Sequence, residues 1–395
     1  MARGELYLVV QVGNAFVNEF PDARVLVNKG RYLAVDLTPP ELQAIRDHGD
    51  ACFGLCPLPQ DVVVLGLRPP SRRQPDPAIA ALVGTVSQAQ LAQSVAALTA
   101  FRTRHSMSGE FSSAADWCRA RLQGLGCVST KLAIPVGTSN SFNIVADKPG
   151  QGVNRKLVLV TAHLDSINHA GGASAAAPGA DDNASGVAGA LEIARVLASR
   201  VAAHELRVIL FGGEEQGLRG SRHYVAGLAQ AERARVLGVI NMDMIARLNT
   251  TAATVLLEGA VVSQGLMTEL ADAAHDYTSL QVQTSLNPFV SDHVPFIEAS
   301  LAAVLAIEGA DTANHDIHIA SDTSDKLHFG LAREIVQSIV AAVAGRLGVD
   351  AGGAAPRQSS SPVLAWAANR LDVFVLGTDR RCTTSGGTAR HGARR

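Results

Sequence analysis

Apolar positions change their period along this chain. Over the first seventy residues they fall in short alternating or continuous runs at 5–12, 23–27, 31–37 and 61–67, the pattern of β-strands. One helix signal interrupts them: Thr38-Pro39-Pro40-Glu41 ahead of LQAIRDHG supplies a capping threonine, a proline for the first turn and an acid three residues on. A small N-terminal α/β unit over 1–70 is expected. The stretch RPPSRRQPDP at 68–77 is rich in proline and arginine, which reads as an exposed linker and assigns 71–84 to a connection.

From about residue 85 helical and strand periods alternate. Helices are expected near 87–103, 112–124, 184–199, 219–229, 262–275 and 326–346, and strands near 129–135, 142–147, 156–162, 205–211, 236–241, 254–258 and 302–307. This alternation predicts an α/β three-layer sandwich over 85–350, with a mostly parallel central sheet flanked by helices. Ligands in such folds gather at the carboxyl ends of the strands.

Composition narrows the function classes. The chain has 395 residues, is 47% hydrophobic and 18% charged, and carries a net charge of −2, so the basic excess that drives nucleic-acid binding is absent. The most apolar stretch, 297–307, is cut by Glu298 and Glu308 and cannot span a bilayer, so no membrane partner is expected. Five scattered cysteines do not make a disulfide framework; a Cys52–Cys56 or Cys118–Cys127 bridge and free thiols are both compatible with their spacing. The first twenty residues read as a strand rather than a signal peptide.

The chemistry lies where strands end. His163 and Asp165 follow KLVLVTA, Asp181 and Asp182 precede a helix, Glu214 and Glu215 follow ELRVILF, Asp243 follows VLGVINM, and His315 and His318 follow AAVLAIEG. An acid such as Asp243 inside an apolar stretch is costly unless it is paired or metal-bound. Any one of these segments has an ordinary explanation, as a core histidine or a solvated acidic turn. Five that reach one sheet edge point to a two-metal site of two histidines and three carboxylates with one carboxylate shared. Imidazole with carboxylate favours zinc, and the same donors also suit cobalt or manganese.

The motifs AHLDS, PGADDNASG, GGEEQGLRGS, NMDM and IHxxxDT occur in order, and over about 85–348 the chain resembles the two-zinc aminopeptidase family that includes bacterial leucyl aminopeptidases. The resemblance implies a zinc exopeptidase-like fold and two zinc ions. His163 and Asp243 would bind one, Glu215 and His318 the other, with Asp182 bridging and Glu214 as general base. It implies substrates that are peptides with a free N-terminus, and a secreted protein. Asp165 is expected to orient the His163 ring, and Asp292, in SDHVPF, to stand close behind the centre. By adjacency Met244, Phe289, Phe296 and Ile317 are expected to line a pocket for an apolar, leucine-like side chain. His169, His223, His293 and His315 are expected to be structural or exposed. In the family a segment such as 1–70 is often a propeptide; an accessory unit is the other reading. A glutaminyl-cyclase-like acyltransferase, with one zinc, or a carboxypeptidase could use the same scaffold.

The segment 363–379 resembles the start of a fucose-lectin-like β-propeller repeat, and then the likeness stops. One choice of codons for 380–391, read two bases in, gives ALYHQWWDGTAW, a continuation of such a repeat. On that reading 351–395 is a spacer and a truncated, frameshifted lectin-like repeat, a vestigial carbohydrate-binding module whose residues from 380 on have no selected fold. Sequencing the underlying DNA tests this: the second frame should read through as further repeats, and a second frame that does not ends the idea.

Overall fold

The continuous apolar runs pair with one another and become the middle of a nine-stranded sheet. The computed structural model of the protein describes residues 4–48, 52–59, 63–69, 74–349, 363–367, 370–376 and 382–386. Two units result, Met1–Ala351 and Gly352–Arg395. In the first, β1 (Glu5–Gln11), β2 (Arg24–Lys29), β3 (Tyr32–Leu37) and β4 (Phe53–Pro57) form an antiparallel sheet of order β2-β3-β1-β4. The large sheet contains β5 (Gly66–Arg68), β6 (Val128–Val136), β7 (Ser139–Lys148), β8 (Leu157–His163), β9 (Glu205–Phe211), β10 (Val236–Met242), β11 (Thr254–Glu258), β12 (Gln281–Ser285) and β13 (Ala303–Glu308). Its order is β5-β12-β11-β13-β10-β8-β9-β7-β6. The central four strands, β13, β10, β8 and β9, are parallel, and antiparallel pairs lie toward both edges.

Alternation within the strands makes the layers. Val158, Val160 and Ala162 of β8 face a core shared with helices Gln88–Thr99, Gly186–Leu197 and Phe329–Leu347. Leu157 and Leu159 face the opposite way, toward Phe211, Tyr224 and Phe296. On that second face, nearer β11 and β13, the N-terminal sheet packs on Leu256, Leu305 and Ile307 through Leu8, Val10 and Tyr32. The other face of β1, with Tyr7 and Val9, packs with Ile45 of helix Pro39–Asp47. β1 is therefore buried on both sides.

Three local expectations are corrected. The run at 61–67 yields only β5, and this pairs with β12 in the large sheet, because β4 takes the place beside β1. Inside the expected linker, Pro77–Val83 is a helix: Asp76 caps it by accepting from the Ala78 amide at 2.9 Å, and Leu82 and Val83 enter the main core. Phe296 is core rather than pocket, fully buried with its ring 6.3 Å from Phe211 and 6.1 Å from Tyr224. Cys52, Cys56, Cys118 and Cys127 are free thiols, the first two exposed. No helix among the described residues is long and apolar enough to cross a membrane. In the second unit, Val363–Ala367, Arg370–Leu376 and Cys382–Gly386 form a three-stranded antiparallel sheet. A strand thus lies within the segment expected to lack a fold; most of 377–395 is outside the described residues.

A buried ion cluster fastens the N-terminal sheet to the large one. Arg31 donates to both carboxylate oxygens of Glu258, at 2.9 and 3.2 Å, to Asp311 at 3.1 Å and to the Phe289 carbonyl at 2.8 Å. The Tyr32 hydroxyl also donates to Glu258. Burial opposes the Glu258 charge, but Arg31 and His293 outweigh it and hold this carboxyl down at about 2. Removing one partner of such a cluster leaves the others buried and unanswered, which costs about 3–5 kcal/mol. Arg31→Met is therefore expected to lower unfolding free energy by about that amount, while Arg24→Met, at an exposed pair with Asp36, costs under about 1 kcal/mol; urea titration of both variants is the check. The sign with pH follows. The stabilisation from Glu258 is fully present above its ordinary value of 4.5 and is lost as pH falls through about 2.

Candidate metal centre

β8 ends on His163, β10 runs into Asp243, the loop after β9 carries Glu214 and Glu215, and the loop after β13 carries His318. Asp182 arrives from the turn ahead of helix Gly186–Leu197. Their polar atoms meet at the carboxyl ends of the parallel strands, as the topology dictates. His163 Nε2 lies 3.1 Å from Asp182 Oδ1 and 3.2 Å from Asp243 Oδ1. His318 Nε2 lies 3.1 Å from both Asp182 Oδ2 and Glu215 Oε2. Two three-donor groups result, His163-Asp182-Asp243 and Asp182-Glu215-His318, each with its ligand atoms within 4.8 Å of one another, and Asp182 belongs to both.

Hydrogen bonds behind these groups fix their aim. His163 Nδ1 donates to the Asp165 carbonyl at 3.1 Å, while the Asp165 carboxylate stands further off at 3.7 Å. That carboxylate accepts the amides of Glu214 and Glu215, each at 3.2 Å, so it organises the acidic turn while the main-chain carbonyl of the same residue holds the imidazole. Asp181 points away from the histidines, accepting from the Ala246 amide at 3.0 Å and the Asn314 amide group at 2.9 Å. Asn183 ties the same turn to β10 by donating to the Met242 carbonyl at 3.0 Å, and its Oδ1 accepts from the Gly186 amide at 2.9 Å. Asp292 is fully buried, and its charge is felt at Glu214.

Three supports escaped the sequence. Ser291 donates to Asp243 Oδ2 at 2.7 Å and accepts from Asn241 at 2.8 Å, which in turn accepts from Thr161 at 2.7 Å, a relay across two strands. Asp322, the acid of IHxxxDT, accepts the amides of Asp181 and Asp182 at 3.0 Å each. His169 Nε2 lies 2.9 Å from His318 Nδ1, and its own amide donates to the His318 carbonyl at 3.1 Å. The signal for Asp322 was present in the motif; Ser291 and His169 had none beyond being polar. His315 and His223 are exposed, and His293 is buried beside Glu258.

The donor set is suited to cations. Burial opposes the Asp182 carboxylate, but hydrogen bonds and charge from His163 and His318 hold it far below the usual range. Burial raises Glu215 to about 7 and Asp292 to about 7, and lifts Glu214 well above the carboxylate range with help from Glu215, Asp292 and Asp243. Glu215 Oε1 is buried without a hydrogen-bond partner among the described residues. With Nδ1 of each histidine engaged, Nε2 keeps a lone pair for a metal. More carboxylate is gathered here than two imidazoles can answer, and buried charges of this kind are paired or coordinate metals.

Of the pocket candidates, Met244, Phe289 and Ile317 share one apolar cluster beside Asp243 and His318. Phe296 lies in a different cluster and does not join them.

A sequence model of Peptidase family M28 matches residues 143–343. Aminopeptidase YwaD of Bacillus subtilis (strain 168) is 34% identical over 170 residues, which is 43% of this chain and 36% of that protein. Leucine aminopeptidase 1 of Arthroderma otae is 28% identical over 284 residues, 66% of this chain and 74% of that protein. The chain spans between 36% and 45% of the length of the first four curated relatives it matches. The crystal structure of the LapA aminopeptidase of Legionella pneumophila superposes with a TM-score of 0.63 at 17% identity, over 87% of this chain and 98% of that one, a likeness of fold.

The support behind His318 is open to direct test. Losing the ring partner of a ligating histidine typically weakens metal affinity about 10–100-fold. His169→Ala is expected to fall in that range in competition against a chromophoric chelator, with unfolding free energy little changed.

Proposed function

Since the chain belongs to Peptidase family M28, we propose that it is a two-zinc aminopeptidase that removes apolar residues from the free N-terminus of peptides. The observation that carries this reading is the pair of three-donor groups joined through Asp182. A shared carboxylate between two histidine-bearing groups suits two ions of borderline softness, and a one-ion cyclase would have no use for the second group. His163, Asp182 and Asp243 would hold one zinc, and Asp182, Glu215 and His318 the other. When bound, such ions acidify a water and polarise the scissile carbonyl.

The remaining roles belong to the chain. Glu214 neighbours a proposed ligand without belonging to either donor group, and its carboxyl is nearly buried at 9% exposure. It takes the proton from the attacking water and delivers it to the departing amine nitrogen. Acids near the centre that do not engage metal, Glu214 among them, attract the substrate's α-ammonium. Asp165 keeps Glu214 and Glu215 in register through their amides, and Ser291 keeps Asp243 turned inward. The cluster of Met244, Phe289 and Ile317 supports a leucine-like preference.

Leucine p-nitroanilide is the test substrate. Hydrolysis should be lost on chelation, return with zinc, and be absent when the amine is acetylated. Glu214→Gln should lower kcat by about 10²–10⁴ with bound zinc retained. Two zinc ions per chain by elemental analysis are expected; one ion together with cyclisation of N-terminal glutamine would replace this reading with the acyltransferase one.

A further inference from the structure

The N-terminal sheet does more than cover an apolar face, because its loops reach the same residues that flank the metal centre. The Val12 amide donates to the Cys52 carbonyl at 2.8 Å, which ties the loop after β1 to the start of β4. From this joined rim Gly13 faces Ile317, the neighbour of His318; a Cβ added there would stand 3.2 Å from Ile317 Cδ1. Gly54 faces Phe289, and a Cβ there would stand 2.5 Å from the Phe289 ring. Asn14 donates to the Thr312 carbonyl at 3.2 Å, in the loop that leads to His318. These contacts require the absence of side chains at two positions of the rim.

The same unit is locked in place. Arg31 is 4% exposed and supplies the cation for Glu258, which is 0% exposed, and for Asp311, which is 3% exposed. If the unit departed, Asp311 would lose its guanidinium partner and Glu258 would keep only His293 beside it. A segment meant to dissociate is poorly served by such an anchor.

We propose that residues 4–48 and 52–58 are a permanent wall of the substrate side-chain pocket rather than a removable propeptide, with Gly54 the position through which this wall sets, against Phe289, the size of N-terminal side chain accepted. The proposal rests on the aminopeptidase reading for its substrate and on the Arg31 cluster for its permanence. On this proposal a methyl added at Gly54, 2.5 Å from the Phe289 ring, displaces the ring toward the pocket. One methylene more or less in an apolar pocket changes selectivity by about 10–200-fold.

Two experiments on the full chain decide it. In the first, a protease recognition sequence replaces residues 71–73, the chain is cut there, and the product is run on a sizing column in native buffer. Co-elution of the two pieces with activity retained is expected; release of the N-terminal piece with activity kept or raised overturns the proposal. In the second, kcat/KM for leucine and alanine p-nitroanilides and the affinities of leucine and alanine hydroxamates are compared for wild type, Gly54→Ala and Gly54→Ala/Phe289→Leu. Gly54→Ala should lower the leucine-to-alanine ratio on the order of tenfold with zinc content unchanged, and the second substitution should restore it by making room. An unchanged ratio in Gly54→Ala protein that retains its zinc overturns the wall. Wild type that neither cleaves nor binds either ligand refutes the aminopeptidase reading instead, and fragment release then decides permanence by itself.

Discussion

A buried carboxylate must be answered by an N–H group or by a cation, and this protein buries many of them at one end of its sheet. Backbone amides answer Asp165, Asp181 and Asp322, and in doing so they hold three loops at the ends of the parallel strands. Arg31 answers Glu258 and Asp311, and in doing so joins two sheets. Asp182 and Glu215 are left to two imidazoles, and Asp243 to one imidazole and the Ser291 hydroxyl, with Glu214 close by. That imbalance suits the centre to divalent cations. The acids that shape the loops and the acids of the two donor groups are neighbours in sequence, and what separates them is whether an amide reaches them first.

The parallel core and the ligand segments were legible because both depend on local pattern. A strand of seven buried residues such as Leu157–His163 announces itself, and the polar residue at its carboxyl end must lie at the sheet edge. What was not legible depends on where distant loops come to rest. Ser291 is 48 residues from Asp243, and His169 is 149 residues from His318; neither pairing leaves a mark in composition or period. Phe296 was misread because adjacency to SDHVPF says nothing about which face of the short helix Val294–Glu298 it occupies. β12 escaped notice because Gln-Val-Gln-Thr-Ser has one large apolar residue to signal a strand.

Docking of the N-terminal sheet was equally invisible. Arg31 and Glu258 lie 227 residues apart, and an arginine at the start of a strand reads as exposed until its partner is known. The apolar alternation of β1 did carry a hint. Both Val9 and Val10 are apolar, so each face of that strand needs a cover, and one helix can cover only one of them. The second cover is the open stretch of the large sheet beside the metal centre. A sheet buried on both faces cannot be an independent appendage, which is why a boundary drawn from the Pro/Arg-rich stretch divides the sequence but not the packing.

Supports of different strength stand behind the two histidines, and the difference is physical. His163 is 1% exposed, its Nδ1 meets a main-chain carbonyl on the same strand end, and a backbone acceptor two residues away cannot be displaced without unfolding that edge. His318 is held by another side chain, His169, on a loop rich in glycine and alanine, and its side chain keeps 16% exposure. Small residues leave such a loop freer to move than a strand end. The group containing His318 is thus held through a side chain, and it is also the half whose flanking residue, Ile317, meets the N-terminal rim. On the proposed reading the His163 group, fixed through main chain, would set the geometry of the shared carboxylate, and the His318 group, fixed through a side chain, is the one that the N-terminal rim would influence through Ile317.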